Sequence, residues 1–539
     1  MTNDKSKVVI VGAGMAGLTA AAYLVRENCE VLLLEKNDKC GGLLQTFQSG
    51  DFFFDSGPRA FVNSGIMKPI LKDLEIEGEF LENKISLGVE DQLVRFNSMD
   101  SLQEYKQMLV NLYPEGVNDI EKIIPIIEKL SEYTRVLYEF DNPNFTSNLL
   151  ADKKFVFKKL IPWTFKFLNA LRQFKKFNMP IEGFMDRLSD NQSLKDIVIQ
   201  HFFRKTPTYF GLGYFYVYLD YFYPKGGTAA VVDLLKNKVL AGGGEIALNK
   251  HITAVNAAEQ TVTDSTGESY SYDHLIWAAD LKSLYRYLHP AGLDAETSTK
   301  IETEKQAMLS AKGAESAFIL FLAADRPTSY FQAKGGEHMF FTPSRTGLGE
   351  TNRLERENLV KDFDEKSKVE VFEWLDKYCA LNTYEVSIPA LRDAALAPEG
   401  KTGLMISCLL DYDIVEKIEK AGWYAEFKEF LENRIISIFS ETIYPDIASD
   451  ILFKFSSTPL TIKQVFGNSE GAITGWSFET EVPVVNKLAD IPKSVLTPIP
   501  GVLQAGQWAY SPAGVPIAMM TGWYASQKIM KESKRSGDK

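Results

Sequence analysis

The chain has 539 residues, 45% of them hydrophobic, so it can bury substantial cores and should divide into at least two domains. A formal net charge of −12 argues against a general nucleic-acid binder, which needs clustered cations, and no run reaches the roughly 18 uninterrupted apolar residues of a transmembrane helix. Four cysteines without C-x-x-C spacing read as reduced thiols, and five scattered histidines predict no metal site.

The first residues, MTNDKSK, carry no basic-then-apolar leader and predict a cytoplasmic chain. Val8 to Val11 is a β-branched run without polar alternation, the pattern of a central parallel strand covered on both faces. Gly12, Gly14 and Gly17 follow in G-x-G-x-x-G spacing. The first permits a tight turn, the second admits a pyrophosphate close to the backbone, and the third lets a helix pack on the sheet. The helix N-terminus then offers free N–H groups and a positive dipole end to the phosphates. Val31 to Leu34 reads as the second strand, and Glu35 closes it where a carboxylate accepts both ribose hydroxyls and disfavours a 2′-phosphate. These residues predict a site for an adenosine diphosphate group with a free ribose, as in FAD or NAD.

Gly41 and Gly42 come next, followed by Phe52-Phe53-Phe54-Asp55-Ser56-Gly57-Pro58. Here the chain resembles the flavoprotein superfamily of amine oxidases, phytoene desaturases, carotenoid isomerases and retinol saturases. Its members carry the glycine fingerprint, then E-x5-G-G, then F-D-x-G-P. The resemblance implies that Gly12, Gly14, Gly17, Glu35, Gly41, Gly42, Gly57 and Pro58 wrap FAD. It continues through Tyr223-Pro224-Lys225-Gly226-Gly227, a strand into Val255, and Tyr272 to Asp280, which includes Ala278 and is similar to the strand returning to the cofactor's diphosphate. It ends in Gly506-Gln507, expected to meet the ribityl chain, and Gly514-Val515-Pro516, expected to open a helix beneath the flavin pyrimidine. Gln507 stands where many relatives have Asp, and Leu43 where many have a basic residue.

Two stretches are unusual in composition. Between Ala151 and Asn178 eight Lys or Arg face only Asp152, a local charge of +7 that leaves the rest of the chain at −19. The cations alternate with Phe155, Phe157, Trp163, Phe165, Phe167, Phe174 and Phe177, a pattern that fits either contact with an anionic membrane surface or a docked helix with a solvated basic face. Tyr209 to Tyr223 holds nine aromatics and one acid, Asp220, and fits either the wall of an apolar substrate site or a supporting core helix.

The expected fold is α/β: a discontinuous Rossmann-like FAD-binding domain with an inserted mixed α+β substrate domain. Residues 1–75, 224–290 and 455–539 are assigned to the cofactor domain. Residues 76–223, membrane-facing in part, and 291–454 are assigned to the substrate domain, with strands Ala317 to Leu322 and Leu404 to Leu410 and a helix Trp423 to Phe439. Arg353 to Lys368 is expected as an exposed helix or turn. No catalytic triad is legible, so Arg59, beside Gly57-Pro58, and Asp220 are the catalytic candidates. Each has a bland alternative: Arg59 bonding the diphosphate or a backbone carbonyl, and Asp220 holding a turn. The resemblance implies an oxidoreductase that desaturates, saturates or isomerises a long apolar polyene at a membrane surface. The alternatives are oxidation of a soluble amine, or a non-catalytic FAD-containing membrane protein. No nucleic acid is expected as partner, and the sequence leaves the oligomeric state open.

Overall fold

The computed structural model describes residues 6–145 and 153–537. Lys7–Val11 is the middle strand of a five-stranded parallel sheet, flanked by Glu30–Leu34 and then Glu245–Ala247 on one side, and by His274–Trp277 and then Val502–Gln504 on the other. The side chains of the first strand divide by parity. Val8 and Ile10 join the core beneath the helices, whereas Val9 and Val11 join a second core with Leu275 and Trp277. That two-sided burial is why the run is apolar throughout rather than alternating.

Helix Met15–Arg26 crosses one face against the C-terminal helix Val515–Gly537 and helix Ala229–Ala241. The opposite face is covered by a small four-stranded sheet that includes Ile252–Asn256. The parallel sheet thus draws its strands from three widely separated stretches of chain, the discontinuous cofactor domain expected.

The remaining chain builds a seven-stranded mixed sheet in the order Ile451–Ser457, Ser316–Ala324, Thr402–Leu410, Tyr384–Ser387, His338–Thr342, Ile85–Val89, Gln92–Phe96. The two long central strands are nine residues each and buried almost throughout, longer than the apolar runs suggested. Again parity sorts the side chains. Phe318, Leu320 and Leu322 pack under helices Lys368–Leu381 and Tyr424–Glu441, while Ala317, Ile319 and Phe321 face Phe52 and Phe54. Strand Ile451–Ser457 runs through residue 455, where the cofactor domain was expected to resume.

On the far side, helices Ser101–Leu112, Val117–Tyr138, Gln192–Ile199 and Thr208–Val217 share a third core. Arg353 to Lys368 differs from its expectation of exposure. Leu354 is exposed, but Arg356 and Leu359 on the same helix are buried, because Arg356 enters an internal ion cluster. Cys40, Cys379 and Cys408 are buried free thiols. Among the described residues no helix is long and apolar enough to cross a membrane.

Candidate functional site

The glycine turn is held by its own backbone. Gly12 adopts φ +102°, a conformation L side chains rarely take, and its N–H donates to the Leu34 carbonyl at 2.8 Å. Glu35 then ties two turns together, its Oε2 accepting the Ala13 N–H at 2.8 Å and its Oε1 the Asn37 N–H at 3.0 Å. Burial pushes its carboxyl above the ordinary value against the pull of those two amides. The second glycine pair folds back onto the first, since the Gly41 N–H donates to the Ala13 carbonyl at 2.8 Å and Gly41 bridges Gly14. From the other edge, Ala278 donates to the Val11 carbonyl and Ala505 to that of Trp277, which brings Ala278 and Gly506 beside the same loop.

These segments surround one cavity of about 1310 Å³. Gly12, Gly14, Glu35, Gly41, Gly42, Gly57, Pro58, Arg59, Ala278, Gly506, Gln507, Gly514 and Val515 all line it. Gly17 does not, and serves instead where a side chain would collide with the Gly12 carbonyl. Val255 is also absent from the wall: it is fully buried in the small sheet, and the cavity is met three residues earlier by Ile252. Asp220 stays outside as well. Its carboxylate accepts the Ser64 N–H at 2.7 Å and so holds a turn at positive φ, with Ser64 itself on the wall. Burial pushes its carboxyl up to about 6.

Arg59 is 3% exposed, donates from Nη1 to the Asp55 carbonyl at 2.7 Å, and keeps its Nε without a partner. Trp508 Nε1 and Tyr510 Oη, on the same wall, are likewise buried and unpartnered. Buried donors seldom remain unsatisfied. Three of them around a cavity edged by glycines fit a ligand with several acceptor atoms. A side chain at Gly14 would meet nothing within 4 Å, so the open space beside the fingerprint lies where a diphosphate belongs.

Beyond this end the cavity becomes aromatic. Helix Thr208–Val217 buries Leu212 and Phe215 in the core and turns Tyr209, Phe210, Gly213, Tyr214 and Val217 to the cavity, so the aromatic stretch gives one face to the core and the other to the cavity wall. Helix Ile161–Phe174 sits further out, docked by Ala170, Phe174 and a Trp163 Nε1 bond to the Val136 carbonyl at 2.7 Å. Trp163, Phe167 and Leu168 line the cavity, whereas Phe157 and Phe165 are 69% and 70% exposed. Ala151 and Asp152 of the basic segment lie outside the described residues.

The sequence reading missed a polar group on the wall formed by the seven-stranded sheet. Glu385 lines the cavity and its Oε1 accepts from His338 Nε2 at 2.9 Å, while His338 Nδ1 lies 3.2 Å from the Asn83 amide nitrogen. With Nδ1 accepting from Asn83, the ring proton sits on Nε2 and points at the carboxylate. No local motif announces this group, because residues 83, 338 and 385 meet only through strand pairing.

A Rossmann-type sheet whose glycine turn, buried acid and returning strands converge on one cavity defines a nucleotide-cofactor protein. Residues 15–376 match the family described as flavin containing amine oxidoreductase, and the chain belongs to that family. It is an FAD-dependent oxidoreductase. The chain is 24% identical to 1-hydroxycarotenoid 3,4-desaturase of Flavobacterium sp. (strain P99-3) over 58% of its own length and 64% of that protein's. It is 22% identical to 4,4′-diapophytoene desaturase of Staphylococcus aureus (strain COL) over 98% of its length and 99% of the relative's. The fold is similar to an oxidoreductase from Methanosarcina mazei (TM-score 0.59, 14% identity, 97% and 100% of the two chains). It is also similar to putrescine oxidase (TM-score 0.57, 12% identity, 98% and 99%).

FAD, when bound, supplies two-electron redox chemistry. The groups that would hold it are the N-terminus of helix Met15–Arg26, opening at Gly14, for the diphosphate, and Glu35 for the ribose. The N-terminus of helix Val515–Gly537 would favour negative charge on the reduced ring system.

Proposed function

We propose that the protein desaturates, saturates or isomerises double bonds of a long apolar polyene, a carotenoid, retinoid or related lipid, which it draws from a membrane surface. The observation that carries this reading is the continuity of the cavity. A single space extends from the glycine turns, past the aromatic face of Thr208–Val217, to Trp163, Phe167 and Leu168 on the basic helix. A small soluble amine needs a compact cage and has no use for that length, whereas an extended chain stacks along it. The two desaturase relatives, named for carotenoid and diapophytoene substrates, agree with this substrate class.

The stretches 76–223 and 291–454 act as the substrate-binding part. Exposed Phe157, Ile161, Phe165 and Leu168, set among lysines, enter the acyl boundary while the cations meet anionic headgroups. Arg59 stands on the wall with a free Nε and is the polar group assigned to the reduced cofactor or the substrate. Within the cavity the protein's own contribution is to align the chain and exclude water.

The test is anaerobic incubation of the yellow protein with lipid extract, followed by mass spectrometry. The expected product lacks two hydrogens of its substrate, with bleaching of the flavin band, or gains two hydrogens when the flavin has first been reduced with dithionite, or is a double-bond isomer. Oxidation of soluble amines with peroxide release, and no change in any lipid, would replace this reading with the amine oxidase one. Bound flavin without turnover of either class would favour a non-catalytic role.

A further inference from the structure

Glu385 is out of place on an apolar wall. Strand pairing sets Phe340, Glu385, Ser407 and Ile319 side by side across four strands, and all four line the cavity. A hydrocarbon chamber has no need of a carboxylate in that row. Oε1 is occupied by His338, and among the described residues nothing bonds Oε2. One third of the Glu385 side chain is accessible, and since the residue lines the cavity, that surface opens inward.

The surroundings say what Oε2 is suited to receive. Burial opposes ionisation of Glu385, but the His338 bond and the nearby guanidinium charges of Arg59 and Arg392 hold its carboxyl below the ordinary range. His338 is itself kept neutral by burial. Asp55, the other acid of this region, is already satisfied by Tyr223 Oη at 2.6 Å, Thr46 Oγ1 at 2.7 Å and Thr228. The charge on Glu385 is therefore compensated by protein cations, so a cationic ligand is not required. What is missing is a neutral hydrogen-bond donor. Two further hydroxyls stand on the cavity wall, Tyr214 and Tyr221, bonded to one another at 2.6 Å, with the Tyr221 ring edge-on to His338. The pair has one hydroxyl hydrogen left over and lone pairs to accept another.

We propose that Glu385, together with the Tyr214–Tyr221 pair, binds a hydroxyl group carried by the polyene, so that this enzyme takes a hydroxylated chain in preference to the parent hydrocarbon. This rests on the polyene reading above and narrows it. A hydrocarbon strips water from Oε2 and returns no donor, which a site built for a hydroxyl penalises far more than it penalises a missing methylene.

The experiment uses the FAD-loaded full chain and two linear polyenes of equal length in the same detergent micelles, one a hydrocarbon and one bearing a single hydroxyl. Binding is read from quenching of tryptophan fluorescence, without turnover. The expected result is at least tenfold tighter binding of the hydroxylated chain to wild type. In Glu385→Leu the ratio should fall to within about twofold through loss of the hydroxylated ligand alone, with the flavin spectrum retained and the melting temperature lowered, since His338 Nε2 loses its acceptor. Glu385→Gln keeps an acceptor oxygen and should keep part of the preference, and it decides the matter if the leucine variant does not fold. Equal binding of the two chains to wild type, or a ratio untouched in the variant that folds, overturns the proposal while leaving the polyene reading intact. Failure of either polyene to bind overturns both. Tighter binding of a long-chain primary ammonium than of the hydroxylated chain overturns it in favour of a cation site.

Discussion

Gly14 shows how one residue can be tested without disturbing the fold around it. Its φ of −75° is open to any L residue, and a Cβ there meets nothing within 4 Å, so Gly14→Val is accommodated by the protein and obstructs only the space for the diphosphate. The variant should purify colourless with a melting temperature near that of flavin-free wild type; a yellow Gly14→Val protein would place the cofactor elsewhere. Gly17→Val is the contrasting change, because its side chain collides with the Gly12 carbonyl and should unfold the turn. Asp220 allows a second test. Burial costs its ionised form, so the folded chain keeps the proton up to about pH 6 while the unfolded chain releases it near the ordinary value of 3.8. Native stability through this group is therefore full below about pH 4 and is lost as pH rises through 6. Asp220→Asn does not titrate, and its stability relative to wild type should rise by about 2 kcal/mol between pH 4.5 and pH 7, measured by denaturant unfolding. A difference that is flat in pH would show Asp220 to be ionised throughout.

Among elements, the basic helix Ile161–Phe174 and the residues flanking it make the clearest case. Lys158, Lys159, Lys175 and Lys176 are all exposed, and exposed Phe157 and Phe165 lie among them. If this surface meets anionic lipid, the four Lys→Glu changes together should abolish flotation with anionic vesicles and leave the flavin spectrum unchanged. Wild-type flotation should weaken with salt, since headgroup attraction is screened within about 8 Å at physiological ionic strength. Wild type that never floats would reduce the segment to a docked helix. The same element shows what could be read from the sequence. The alternation of rings and cations was visible in the chain, but not that Trp163 and Phe167 turn inward to the cavity while Phe165 turns out. That the glycine turns and Glu35 would edge one cavity was legible because their placement follows from local backbone geometry. Glu385, His338 and Asn83 were not, because strand register alone joins them across some 300 residues of chain.

For the whole molecule, a buried ion cluster ties the substrate-side sheet to the C-terminal stretch, in addition to the apolar contact that Phe52 and Phe54 make with that sheet. Arg204 is 8% exposed and pairs with Glu315 at 2.8 Å, Asp411 at 2.6 Å and Glu479 at 3.1 Å, while Arg356 joins Asp411 at 3.3 Å and Glu479 at 3.1 Å. These residues flank the long strands Ser316–Ala324 and Thr402–Leu410 and the C-terminal stretch, and neighbours Phe203 and Phe478 line the cavity, so the cluster backs the cavity wall. Its composition was invisible in the sequence, where Arg356 read as part of an exposed charged run. Two buried carboxylates and the half-buried Glu479 are tolerated because two guanidinium groups, with Lys312 3.8 Å from Glu479, answer them, and removing one partner leaves charge without compensation. Arg204→Met should therefore cost about 3–5 kcal/mol at pH 8. Burial already pushes the Glu315 carboxyl up to about 7 with Arg204 present, and without it the acids must hold protons to still higher pH. Acidification should then protonate the orphaned carboxylates and shrink the deficit, so the gap between variant and wild type measured by denaturant unfolding should be smaller at pH 5.5 than at pH 8. An equal loss at both pH values would mean that Arg204 acts through packing of its stem and not through its charge.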